Sequence, residues 1–288
     1  MIVVRLCGGL GNQMFQYATG RAVALANRTE LVCDLGWYHR TPKHNTPREF
    51  ELFLYPIQAR EATSHEEASG RNYTDRILRR VPLLPRPWRQ FREKGYQFDA
   101  SVREVIDNTY LDGYWQSYKY FDEIAGLLRT ELTPSITPSE LDMNILKQIK
   151  DSSAVSVHIR RGDYVTLKAA ATVHGVCTLD YYRSALDVIS SSVLDPHFFV
   201  FSDDSQWSRE NLEFPGPVTF VDHNGPTTAF QDMRMMSTCR HHIIANSSFS
   251  WWGAWLNPGS DKIVVAPRKW FADGRPTNDL TPTAWHRI

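Results

Sequence analysis

The sequence predicts an α/β protein built on parallel sheets, and three observations predict it. A β-branched run from Ile2, a glycine turn from Gly8 and an apolar pattern at helical spacing from Phe15 open the chain. Beyond residue 150, short apolar runs and helical patterns alternate with brief connections, which demands parallel strands joined by right-handed crossovers. Between these halves Thr133-Pro134-Ser135-Ile136-Thr137-Pro138 breaks the pattern, as a linker does. We therefore expect a domain over 1–135 and another over 136–288.

In order along the chain, a strand is expected at 2–6, a helix through Phe15, Ala18, Ala22, Leu25 and Ala26, and a strand at 31–35. The turn Gly8-Gly9-Leu10-Gly11-Asn12-Gln13 between them matches neither GxGxxG nor the P-loop, because its glycines fall at other spacings and no Lys-Ser/Thr follows. From 60 to 95 the periodicity fails, and Arg76, Arg79, Arg80, Arg86, Arg89 and Arg92 stand among Pro82, Pro85 and Pro87. This predicts a basic insertion or helical excursion outside the core. Together with Leu83, Leu84, Trp88 and Phe91 it could make a peripheral contact with an anionic membrane surface, although a solvated face with docked aromatics is the preferred reading. Tyr110-Leu111-Asp112-Gly113-Tyr114-Trp115-Gln116-Ser117 reads as an aromatic turn whose rings either stack on sugar faces or pack in the core. After the linker, Ser139-Glu140 opens a helix to about 149. Strands at 154–159, 198–201, 218–221, 242–245 and 262–266 then alternate with helices at 179–190, 206–212, 228–239 and 249–256.

Composition narrows the function. An apolar fraction of 42% in 288 residues supplies a substantial core. Basic and acidic side chains balance at 32 each, so no global field draws the protein to nucleic acid and any anion site must be local. Cys7, Cys33, Cys177 and Cys239 are far apart, without metal-ligand spacing, and read as reduced, mostly buried thiols. The opening residues do not make a signal peptide and no apolar run approaches membrane length, so the expected compartment is the cytoplasm.

In a parallel sheet the carboxyl ends of the strands form one rim, where such folds bind ligands. Reading that rim gives His158-Ile159-Arg160-Arg161-Gly162-Asp163, Ser202-Asp203-Asp204, Asp222-His223, Asn246-Ser247-Ser248 and Pro267-Arg268. Two forked, permanently charged guanidiniums suit a diphosphate. Neighbours on a strand point to opposite faces, so the pair converges only if Arg161 already belongs to a turn, which Gly162 permits. The alternative is that both arginines are solvated or pair with Asp163. Ser247 and Ser248 precede a helix, which offers backbone N–H groups to an anion. Asp232 could accept hydrogen bonds from a base with adjacent N–H donors, as guanine has, or could be a surface carboxylate in a first helical turn. Asp203 and Asp204 resemble a DxD pair, but where arginines and a helix terminus neutralise a diphosphate no cation is needed, and Asp203 serves equally well as a helix cap.

Three long stretches then carry a resemblance: Gly8-Gly9-Leu10-Gly11-Asn12-Gln13-Met14-Phe15-Gln16-Tyr17-Ala18, His158-Ile159-Arg160-Arg161-Gly162-Asp163-Tyr164, and Asn246-Ser247-Ser248-Phe249-Ser250-Trp251-Trp252-Gly253-Ala254-Trp255-Leu256. With Gly113-Tyr114-Trp115-Gln116-Ser117 and His174-Gly175-Val176-Cys177, they make the chain resemble the α-1,2-fucosyltransferases of glycosyltransferase family 11 along almost its whole length, and the want of a membrane anchor resembles the bacterial members.

The resemblance implies a GT-B fold of two Rossmann-like domains facing across a cleft. GDP-fucose would lie in the C-terminal domain and a β-galactoside oligosaccharide or glycolipid acceptor towards the N-terminal one. It implies metal-independent inversion from GDP-β-L-fucose to an α-1,2 linkage, with no cofactor beyond the substrate. It places the β-phosphate on Arg160, the nucleoside on His158, guanine on Asp232 and a phosphate hydroxyl contact on Ser248. Arg161, Ser202, Asp203 and Ser247 complete the donor side. The glycine loop, with Gly9 and Gly11, is placed beside the reacting centre, which points to Asn12. For the base, Asp163, His174 and Asp180 are candidates. Related core fucosyltransferases carry an acidic residue shortly after the HxRRxD aspartate, whereas 164–171 here holds Lys168 and no carboxylate, which leaves another base or a leaving phosphate that takes the proton itself. A transferase using another sugar nucleotide, and a non-catalytic carbohydrate-binding module, remain as alternatives.

Overall fold

The computed structural model describes residues 1–40, 48–64, 66–67, 89–162 and 175–288. It divides into two compact units, Met1–Leu132 and Thr133–Ile288. Each is an α/β layer whose described strands all run parallel.

In the first unit β1 (Ile2–Arg5), β2 (Leu31–Asp34), β3 (Arg60–Glu61), β4 (Arg89–Arg92) and β5 (Thr109–Asp112) lie in the order β3-β2-β1-β5-β4. The apolar runs of β1 and β2 are central and buried, as expected for a sheet covered on both faces. Helix α1 (Leu10–Ala26) packs on β1, and Gly20 allows the close approach: a Cβ there would sit 2.9 Å from a Leu31 methyl and 3.0 Å from Val4. Buried Glu131, at the end of α2 (Ala125–Glu131), accepts hydrogen bonds from Tyr17 and Arg21 on α1 and ties the two helices together.

In the second unit α3 (Glu140–Lys150) leads into β6 (Ser153–Ile159), followed by α4 (Leu179–Ser192), β7 (Pro196–Ser202), α5 (Ser205–Asn211), β8 (Val218–Val221) and α6 (Ala229–Thr238). Then come β9 (His241–Ile243), α7 (Ser248–Leu256), β10 (Val264–Ala266) and β11 (His286–Arg287), giving the order β11-β10-β9-β6-β7-β8. The period of two on β6 separates two cores. Val155, Val157 and Ile159 meet Tyr182, Ala185, Leu186 and Ile189 of α4. Ala154, on the opposite face, belongs with Ile149, Met235 and Met236. Helix α7 is buried almost throughout, and Trp251 stacks on Trp255 at 5.9 Å. Gly253 lies so close to α6 that a Cβ would meet Met236 Cβ at 2.9 Å.

Two expectations need correction and one alternative is decided. The segment 60–95 is not all outside the sheet, because its ends form edge strands β3 and β4; residues 65 and 68–88, with most of the basic cluster, lie outside the described residues. Short, charged edge strands hide the alternation that betrays a strand. Arg60 on β3, for instance, is paired with Glu30 and Glu66. The aromatic turn near 110 begins as strand β5, and of its two readings core packing holds for Tyr110 and Trp115, which are buried, while Tyr114 is exposed. Gly162 has no left-handed backbone; what its missing side chain provides is room, since a Cβ would come within 2.7 Å of Asp203 Oδ2. The four cysteines are buried and free, and no helix among the described residues is long and apolar enough to cross a membrane.

Candidate active site

Both sheets reverse direction of growth at one place, and in each the family-like motifs collect there. In the C-terminal sheet the chain adds β7 and β8 on one side of β6, then returns to add β9 on the other. Ligands of open α/β sheets bind at such a switch point. The loops leaving β6 and β9 carry Arg160-Arg161 and Asn246-Ser247-Ser248.

Strand β6 ends at Ile159, so both arginines lie beyond it, yet their side chains take different partners. Arg160 Nη1 is 2.9 Å from Asp203 Oδ2, while Asp203 Oδ1 accepts the backbone N–H of Arg161 at 2.8 Å. Arg161 lies over the Trp207 ring at 3.8 Å, with its Nε 3.4 Å from Asp204. A guanidinium has five donors, so one carboxylate orients it without exhausting it. Arg161 is docked on α5, whereas Arg160, about a quarter exposed, lies on the rim. Asp203, expected on the donor, has both oxygens on the arginine loop. Ser202 turns inward, accepting the Asp204 N–H at 2.9 Å, and it is Asp204 that caps α5.

His158 is only 6% exposed, tilted against Phe249 at 5.7 Å, with its Nδ1 buried and lacking a hydrogen-bond partner among the described residues. Burial, aided by the Arg160 charge, pushes its pKa down to about 3, so the ring is neutral. Ser247 is the N-cap of α7 and accepts the Phe249 N–H at 3.3 Å; half-buried Ser248 is the first helical residue. Asn246 holds the loop behind them, donating to the carbonyls of Gly175 and Trp270.

Asp232 stands in the first turn of α6, on the same rim. Burial pushes its pKa up to about 6, against a hydrogen bond from Asn224 at 2.8 Å. The base candidates Asp163 and His174 lie outside the described residues. Asp180 is a solvated carboxylate in the first turn of α4, 3.7 Å from Arg183.

In the N-terminal sheet the switch falls between β1 and β5. The glycine loop after β1 and the Gly113-Tyr114-Trp115-Gln116 loop after β5 meet there, because Gln116 Nε2 donates to Asn12 Oδ1 at 2.8 Å. Gly9 is the N-cap of α1, while Gly11 and Asn12 belong to its first turn. Gly8 has φ +80, a conformation that favours glycine, and its carbonyl accepts from Gln13 and Tyr38.

The sequence reading missed two carboxylates on this rim. Burial pushes Glu51 up to about 7 although it accepts the Leu10 N–H at the start of α1. Glu93 is pushed up to about 7 in the same way and accepts the N–H groups of Tyr114 and Trp115 at 2.7 and 3.0 Å. It fixes the turn in which Trp115 adopts φ +59. The sequence offered no signal for Glu93, because the strand it follows, β4, is a short charged edge strand.

Known proteins agree with this architecture. Glycosyl transferase family 11 matches residues 88–288. An alpha-1,2-colitosyltransferase of Escherichia coli is 36% identical, over 100% of this chain and 99% of its own. A galactoside alpha-(1,2)-fucosyltransferase 1 of Alouatta belzebul is 25% identical, covering 90% of this chain and 66% of that protein. The fold resembles that of NodZ, an alpha-1,6-fucosyltransferase whose crystal was soaked with GDP-fucose, with a TM-score of 0.50 at 15% identity over 89% of this chain and 92% of NodZ. The two parallel α/β sheets are those expected of a GT-B glycosyltransferase, and the chain belongs to glycosyl transferase family 11.

Proposed function

We propose that the protein transfers L-fucose from GDP-β-L-fucose to the 2-hydroxyl of a terminal β-galactoside, with inversion to an α-1,2 linkage. The observation that carries this reading is the C-terminal switch point, where Arg160 and the start of α7 flank the crevice between β6 and β9. As the bond between sugar C1 and the phosphate oxygen breaks, charge builds on the β-phosphate, and a cation already oriented by Asp203 favours that transition state over the ground state. A unit pair at ~4 Å in an effective dielectric of about 20 interacts by ~4 kcal/mol, enough for several hundredfold in rate even after partial screening. The new bond forms between C1 and the acceptor oxygen, whose proton passes to a base or to the departing β-phosphate. Neutral His158 stands behind Arg160 without adding to its charge.

On this reading the two arginines and the helix terminus supply the positive charge that a divalent cation supplies elsewhere, and transfer persists in EDTA. The 36% identity to a colitosyltransferase favours one second reading: the same nucleotide carrying colitose, which lacks the 3-hydroxyl of fucose. Incubation with GDP-fucose, GDP-colitose and UDP-sugars against a panel of β-galactosides, with linkage determined by NMR, separates these. An α-1,2-fucosylated product supports the proposal; turnover only with GDP-colitose selects the second reading; turnover only with UDP-sugars defeats both.

A further inference from the structure

Past β8 the rim turns through Asp222, His223 and Asn224 before α6 begins, and this turn is joined to Asp232 by an arrangement the phosphate machinery does not use. The Asn224 amide nitrogen donates twice, to Asp232 Oδ1 at 2.8 Å and to Asp142 Oδ1 at 3.1 Å. Asp142 is itself immobilised. It is 2% exposed, its Oδ2 accepts the N–H and hydroxyl of Ser139 in the capping box of α3, and His223 Nε2 lies 2.9 Å from its Oδ1. Burial works against the Asp142 carboxylate, but these hydrogen bonds overcome it and hold its pKa below the usual aspartate value. Asp142 is therefore a fixed anion that orients the Asn224 amide, and the amide in turn fixes the plane of the Asp232 carboxylate.

A carboxylate held through one oxygen keeps a second oxygen and spare lone pairs along its outer edge. Two adjacent N–H donors in a plane are the complement of that edge. Guanine has them at N1 and the exocyclic amine; hypoxanthine has N1–H alone, adenine has no N1–H, and uracil has no amine. We propose that Asn224, anchored by Asp142, is the specificity-determining positioning residue that aligns Asp232 on the paired N–H edge of guanine. The inference rests on the GDP-sugar reading above and adds to it the group that enforces the choice of base. Removing the amide would leave two neighbouring carboxylates with no donor between them, so Asp232 would rotate away or take up a proton and its acceptor edge would be lost.

Calorimetry with GDP, IDP, ADP and UDP on the full chain tests this, using wild type and Asn224→Ala. The wild type should bind GDP more tightly than IDP. The variant should lose tenfold or more in GDP affinity, on the order of one hydrogen bond to a charged group, and its preference for GDP over IDP should collapse towards one. A general loosening of the pocket would weaken GDP and IDP alike and leave their ratio standing, which would overturn the inference. If Asn224→Ala does not fold, as judged by circular dichroism, Asn224→Gln keeps an amide but displaces it by one methylene, and the same ratio decides. A wild type with no preference for GDP over UDP would defeat the GDP-sugar reading itself, an outcome distinct from an unchanged ratio in the variant.

Discussion

At the N-terminal switch point, the loops after β1 and β5 are tied by an amide pair, Gln116 on Asn12, while the strand ends beneath them are closed by Asp112, which takes both Arg5 and Arg92. At the C-terminal switch point they run through ion pairs, Arg160 with Asp203 and Arg161 with Asp204. Both rims sit on parallel sheets with the same kind of chain reversal, so topology does not account for the difference. What differs is the group the loops themselves carry, amides after β1 and β5 and guanidiniums after β6. An amide net orders backbone without a fixed charge and suits neutral hydroxyls, whereas a guanidinium held by a neighbouring carboxylate is a preoriented cation and suits a phosphate.

The largest expected effect lies on the ionic rim. Arg160→Lys should keep the fold and the melting temperature but lower kcat by about a hundredfold or more, because an ammonium cannot reproduce the fork. Unchanged kcat would remove Arg160 from the reaction and erase the contrast between the rims. Next comes the pH dependence of nucleotide binding. Asp232 has its pKa raised to about 6, so it is ionised at pH 7 and takes up a proton as pH falls through 6. If it accepts from the base in its charged form, GDP affinity should be flat above pH 7 and fall by about tenfold per pH unit well below 6, the slope for one proton. Asp232→Asn should flatten that limb, and calorimetry across pH 5 to 8 reads it.

A smaller effect is expected at Gly162. Gly162→Ala drives a methyl towards Asp203 and loosens the anchor of Arg160, so kcat/KM should drop several-fold with about 1–3 kcal/mol of overpacking cost in a thermal melt. The smallest belongs to the amide rim. Gln116→Leu removes the bond to Asn12 at a net cost of about 1 kcal/mol, and should raise the acceptor KM a few-fold while leaving GDP affinity as it was. A fall in GDP affinity of the same size in that variant would show that the two rims do not divide the substrates.

The fold was legible where strands are long or buried on both faces. Strand β6 reads as an apolar run because helices cover both of its sides. The edge strands β3, β4 and β11 were not legible, since two to four residues with charged side chains carry no usable period. The arginines stood out in the sequence, because guanidiniums after an apolar run are conspicuous. Their partners did not: Asp203 is 42 positions from the Arg161 N–H it accepts, and only the pairing of β6 with β7 brings them together. Asn224 was missed for a related reason. Its role depends on Asp142, 82 positions earlier, in what sequence shows only as the first turn of a helix.

The contact at Gly253 fixes a length. With only a hydrogen atom facing Met236, α6 and α7 meet in direct contact, so the separation of Asp232 on one from Ser248 on the other is set by backbone packing. On the proposed reading a donor must bring its own two ends to that separation, and measuring by span is a form of selection that operates before any individual contact is judged.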